Sequence, residues 1–158
     1  MIAAKLEERI IAALGTALAV HAPGMARPAV IRGFWQMAAE GRIGAETRPV
    51  GAVLHVSVGA PAYETSFLPK ARYACSISAT FKSASKVAAA TTVVPVCNAI
   101  VQRLGAWQAD LKELEEDLGF DVFRPIAITV AGGPPPVPED SADEWRVDIG
   151  FTITGVED

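Results

Sequence analysis

The chain has 158 residues, the size of one ordinary domain, and a chain of that length buries roughly 70% of its unfolded surface without disulfide or metal support. An apolar share of 51% and an aromatic share of 7% exclude intrinsic disorder. A net charge of −4, from 14 basic and 18 acidic residues, argues against general nucleic-acid binding, which needs a basic surface to displace counterions.

Taken in chain order, residues 1–20 read as an amphipathic helix. Leu6, Ile10, Leu14 and Leu18 recur every four residues with Ile11 beside them, while Glu7, Glu8 and Arg9 sit off that stripe. The uncharged run 10–20 is shorter than the roughly 20 residues that span a bilayer, so no membrane segment is expected. The run His21-Ala22-Pro23-Gly24 ends the helix. Residues 25–49 carry large apolar side chains between glycines and are expected to be irregular, with one helical turn or a short strand. Phe34 and Trp35 there suit either core packing or an exposed contact surface.

Residues 50–59 switch to period two, with Leu54, Val56 and Val58 on one face and His55 and Ser57 on the other. Residues 61–69 read as a loop. Residues 71–82 form the clearest strand: Tyr73, Cys75, Ile77, Ala79 and Phe81 alternate with Arg72, Ser76, Ser78, Thr80 and Lys82, with Ala74 the exception. A hairpin with the preceding strand follows. The second main helix is expected to start near Thr92, so that Pro95 falls in its first turn. Val96, Ile100 and Leu104 form its stripe with Cys97, Val101 and Trp107 alongside. Leu111, Leu114 and Leu118 extend the rhythm, and Gly105 is a possible break. The acidic groups Glu113, Glu115, Glu116, Asp117 and Glu139, Asp140, Asp143, Glu144 read as solvated faces or loops.

Two strands close the chain. Ile126, Ile128 and Val130 share a face in residues 123–130. Trp145, Val147, Ile149, Phe151 and Ile153 share one in residues 145–153, with Arg146, Asp148, Thr152 and Thr154 opposite. Between them, residues 131–144 hold four prolines and two glycines and are not expected to pair as strand. A loop of that length is a functional candidate, and its prolines lower the entropy lost on docking. Pro134, Pro135 and Pro136, with Glu139 and Asp140, are therefore candidate partner contacts, as are Phe34 and Trp35; a plain surface loop is the alternative. The whole reads as one α+β domain over residues 1–158. It has two layers: a mostly antiparallel four-stranded sheet and two main helices packed on one face.

The chemistry expected of an enzyme is missing from the pattern. His21 and His55 sit in no nucleophile–base arrangement, and no G-x-S-x-G elbow, Walker loop or dinucleotide fingerprint occurs. Cys75 and Cys97 read as small hydrophobes in a reducing, cytoplasmic setting. Catalytic residues, cofactor and metal ligands are expected to be absent, and the expected role is binding another protein. A small-molecule-binding or enzymatic α+β domain is the alternative.

The order of elements is that of an amphipathic helix, a strand pair ending in ARYACSISATF, a helix with VCNAIVQRL, the strand PIAITV, a polar loop and the closing strand WRVDIGFTITG. This resembles the tail-terminator and tail-completion proteins of long-tailed bacteriophages and prophages. The resemblance implies a structural protein, cytoplasmic during assembly and then part of the virion tail. It would form a ring with copies of itself, often a hexamer, capping the tail tube and meeting head-completion proteins. No functional residue follows from it by motif; residues 131–144 are its expected contact element by position.

Overall fold

The computed structural model describes residues 1–21, 30–41, 51–64, 70–82, 86–131, 137–138 and 144–158, without the side chains of 19–21, 51–52, 82, 86–93, 137–138 and 144–145. The elements in order are α1 (Ile2–His21), β1 (Val30–Gly33), α2 (Phe34–Ala39), β2 (Gly51–Val58), β3 (Ala62–Glu64) and β4 (Lys70–Lys82). There follow α3 (Lys86–Ala109), α4 (Leu111–Leu118), β5 (Phe123–Val130), β6 (Val137–Pro138) and β7 (Glu144–Glu157).

The α+β class holds, but the sheet is mixed and larger than four strands. Its path is β1-β2-β4-β7-β5, with β3 added to β4 and β6 added to β7. The expected pairs β2–β4 and β5–β7 are both antiparallel neighbours. The longest ladder, β4–β7, joins strands far apart in sequence, from Lys70↔Val156 to Lys82↔Glu144. The pairing of β1 with β2 is parallel. Strand β1 falls in residues 25–49, where an irregular segment with one helical turn or a short strand is expected; the described part holds both a strand and a short helix. Val30 and Ile31 are β-branched, and residues 34–50, which begin with α2, are long enough to make the connection that a parallel pair requires. The short β3 lies in what reads as a loop, and Val137 and Pro138 pair with Arg146 and Trp145 despite the expectation that residues 131–144 would not pair. A strand of two residues at the edge of the sheet is a place where proline is tolerated.

The core lies between the sheet and α1, α3 and α4. The alternation read from β4 is the alternation observed: Tyr73, Cys75, Ile77, Ala79 and Phe81 are all buried, facing Leu6, Ile10 and Leu14 of α1 and Val96, Ile100, Leu104 and Trp107 of α3. Val147, Ile149, Phe151 and Ile153 continue the same layer on β7. Opposite, Arg72, Ala74 and Ser76 of β4 and Arg146 and Asp148 of β7 are exposed. On β5, a register shift between Pro125 and Ala127 makes Ile126 the bulged residue. Ile128 and Val130 stay packed on the core, whereas Ile126 falls out of the face it was assigned to. Gly155 makes room for this arrangement, since a Cβ there would overlap the ring of Phe123, which stacks edge-on against Tyr73 at 5.6 Å.

The helices number four among the described residues, not two. The second main helix begins at Lys86, because Ala88, Ala89 and Ala90 are strong helix formers; Pro95 therefore lies inside it. Gly105 does not break it. The break comes at Asp110, whose side chain accepts the amide of Lys112 at 3.0 Å and caps α4. Val101 and Leu111, expected beside the buried stripe, are exposed, whereas Leu114 and Leu118 are buried as expected. None of these helices is long and apolar enough to cross a membrane.

Candidate interaction site

The feature most at odds with ordinary core chemistry is Glu7. The helical spacing puts Glu7 four residues before Ile11 and seven before Leu14, on the flank of the buried stripe. Its residue exposure is only 1%, so although it sits off the apolar stripe it is buried with it. The reason is the segment 30–41, which turns at Gly33 from β1 into α2. Gly33 is extended (φ −105°, ψ 143°) and has no side chain with which to cap the new helix. Glu7 does it instead: Oε1 accepts the amide of Trp35 at 2.9 Å and that of Gln36 at 3.4 Å. A Cβ on residue 33 would overlap Glu7 Oε1 and lie 2.8 Å from Ile11 Cδ1, so any side chain there would push the capping carboxylate aside.

Burial pushes the Glu7 carboxyl above its ordinary range, opposed by the Gln36 and Trp35 amides, which favour its ionised form. Its second oxygen, Oε2, is buried with no hydrogen-bond partner among the described residues. Arg9 does not neutralise it. Residues two apart on a helix do not face each other, and Arg9 Nε is itself buried with no hydrogen-bond partner among the described residues.

Glu7 also lines an open cleft of about 590 Å³ between α1 and α2. Its walls are mostly apolar, from Ala4, Ile11, Ala12, Trp35 and Ala39, and Glu8 and Gln36 complete the lining. Trp35 is half-buried and anchored, donating its indole N–H to the carbonyl of Val58 at 3.0 Å. Phe34 packs edge-on against it with ring centroids 5.3 Å apart, yet is 47% exposed. The two residues thus divide the roles the sequence left open: Trp35 joins the core and Phe34 stands at the surface. Pro134, Pro135, Pro136, Glu139 and Asp140 lie outside the described residues.

Two further polar clusters brace the helical layer and the sheet end. Arg103 of α3 reaches Glu113 at 2.6 Å and Asp117 at 3.2 Å on α4, and Asp117 also accepts the buried indole N–H of Trp107 at 2.8 Å. Part of the acidic stretch read as solvated is therefore structural. At the end of β7, Glu157 accepts the hydroxyls of both Tyr63 and Tyr73. Burial and that carboxylate push the Tyr73 hydroxyl well above its usual range. Cys75 is buried, its thiol pushed up to about 12 by desolvation, which leaves it protonated and inert at neutral pH. Burial raises the Cys97 thiol too. Among the described residues, no three His, Cys, Asp or Glu side chains converge to hold a metal.

The sequence singles out Phe34 and Trp35 as candidates and leaves Glu7 off the buried stripe. The available signal was its place on the helical wheel beside Ile11 and Leu14; what could not be foreseen was that a glycine 26 residues later would fold back against it.

No family model matches the chain, and no curated protein matches it in sequence. Among solved structures it is similar to a chain of the virion of a native gene transfer agent particle, at 15% identity and a TM-score of 0.47 over 97% of this chain and 92% of that one. A similarity of that size assigns neither family nor function.

Proposed function

We propose that the chain is a structural protein of a phage-type tail, one domain of residues 1–158 that assembles as a ring, caps the tail tube and meets the head-joining side. The tail assignment rests on the order of elements. The ring assignment rests on one observation: the two edges of the sheet end in dissimilar surfaces. At the β1 edge stand α2, the exposed Phe34 and the α1–α2 cleft. At the other edge, β5 pairs only with β7 among the described strands and exposes Arg124, Ala127 and Thr129. Four strand spacings separate β1 from β5 along the path, or about 19 Å at about 4.8 Å each. A ring is built from such a pair of unlike surfaces on opposite flanks, whereas a two-fold dimer needs one self-complementary patch. Light scattering at rising protein concentration tests this. A single closed oligomer supports the reading, and a monomer throughout overturns it.

The cleft favours one second reading, a small-ligand site, since its volume lies in the range of such pockets. Reproducible thermal stabilisation by one compound from a metabolite panel would favour that reading over the ring.

A further inference from the structure

We infer that the α1–α2 cleft is a socket for the side chain of Arg124 from a second copy of this chain. The inference rests on the ring reading and gives that ring its contact. Three observations carry it. First, the cleft offers what an arginine needs: apolar walls for the methylene stem from Ile11, Trp35 and Ala39, and carboxylates for the head. Glu8 is at the rim, paired on the surface with Lys5 at 3.4 Å, and Glu7 Oε2 is a buried acceptor with no hydrogen-bond partner among the described residues. A buried carboxylate oxygen with no partner is costly, and an incoming cation would satisfy it.

Second, the opposite flank supplies the cation. Arg124 is exposed on the edge strand β5 and makes no ion pair among the described residues. Arg72, Arg103 and Arg146 by contrast are held by Glu64, by Glu113 with Asp117, and by Asp148. Third, β5 is guarded against simple strand addition. Pro125 lacks an N–H and the register shift beside it interrupts the edge, so this edge meets a neighbour through side chains. A head-to-tail contact of Arg124 with Glu7 and Glu8 repeats from copy to copy and closes when the rotation allows.

Sedimentation of the full chain at several concentrations tests the inference with Glu8→Lys, Arg124→Glu, the double variant and Glu7→Gln. Glu8 and Arg124 are exposed, so their reversal leaves the fold intact, which circular dichroism checks. Each single reversal is expected to weaken association by about tenfold or more, and the double variant to regain most of it. Glu7→Gln is expected to stay folded and associate more weakly. A wild type that remains monomeric removes the ring reading and this inference with it. A wild-type ring indifferent to all four variants leaves the ring standing and overturns the socket. The same overturning follows if butylguanidinium shifts the Trp35 indole resonance while the variants assemble normally, because the cleft then serves a free ligand.

Discussion

Replacing Glu7 by glutamine separates the two things its carboxylate does. Oε1 caps α2 through Trp35 and Gln36, and glutamine keeps a carbonyl there. What glutamine removes is the ionisation of a group that is 1% exposed and whose other oxygen has no hydrogen-bond partner among the described residues. The folded-state carboxyl titrates above 4.5, with desolvation the largest cause. Folding therefore favours the protonated form: the stability this group contributes is fully present below pH 4.5 and is lost as pH rises through the folded value. Glu7→Gln should match the wild type near pH 4 and exceed it at pH 7.5. The gap grows by about 1.4 kcal/mol for each tenfold displacement of the proton affinity. Glu7→Ala also removes the titration but loses two hydrogen bonds of about 1 kcal/mol each, within the range of a lost helix cap, so it should lie below Glu7→Gln by about that amount at every pH. Urea unfolding at pH 4, 5.5 and 7.5 measures all three proteins. A Glu7→Gln protein clearly less stable than wild type at pH 7.5, or a difference that does not change with pH, would refute the argument from burial.

Three other substitutions follow from the packing. Gly155→Ala pushes a Cβ into the Phe123 ring and should cost about 1–3 kcal/mol in urea unfolding; a neutral result would mean the ring relaxes freely. Asp117→Ala strands the buried Trp107 N–H and removes one partner of Arg103, and should cost about 1–3 kcal/mol, against a few tenths for Glu116→Ala on the exposed side. Cys75 should react with a thiol reagent at pH 8 only when the protein unfolds, since burial holds its thiol up to about 12; prompt labelling of Cys75 in the native protein would contradict its placement.

What could be read from the chain depended on which physical signal set each element. Period-two alternation in β4 and β7 follows from one buried face, so Tyr73 through Phe81 and Val147 through Ile153 were legible residue by residue. The leucine spacing of α1 was legible for the same reason. Where a partner element decides the outcome, the pattern was silent. The strand β1 is too short to alternate and exists because β2 lies beside it. The start of α3 was misplaced because Pro95 outweighed the alanines before it, although a long helix tolerated the proline in its interior. The bulge at Ile126 switches the core face from Phe123 and Pro125 to Ile128 and Val130, which simple alternation does not foresee. Glu7 was unreadable in its role because its burial depends on Gly33 and Trp35, which are distant in sequence.

The claim that the two unlike flanks of this sheet meet in a closed ring is tested most directly by disulfide trapping. Cysteines at Ala39, on α2, and at Ala127, on β5, occupy exposed positions on the two flanks. With Cys75 and Cys97 replaced by alanine, oxidation of the Ala39→Cys, Ala127→Cys double variant should give a ladder of covalent oligomers that stops at one closed size. Neither single variant should crosslink. Dimers formed by a single variant, or a double variant that stays monomeric on oxidation, would contradict it.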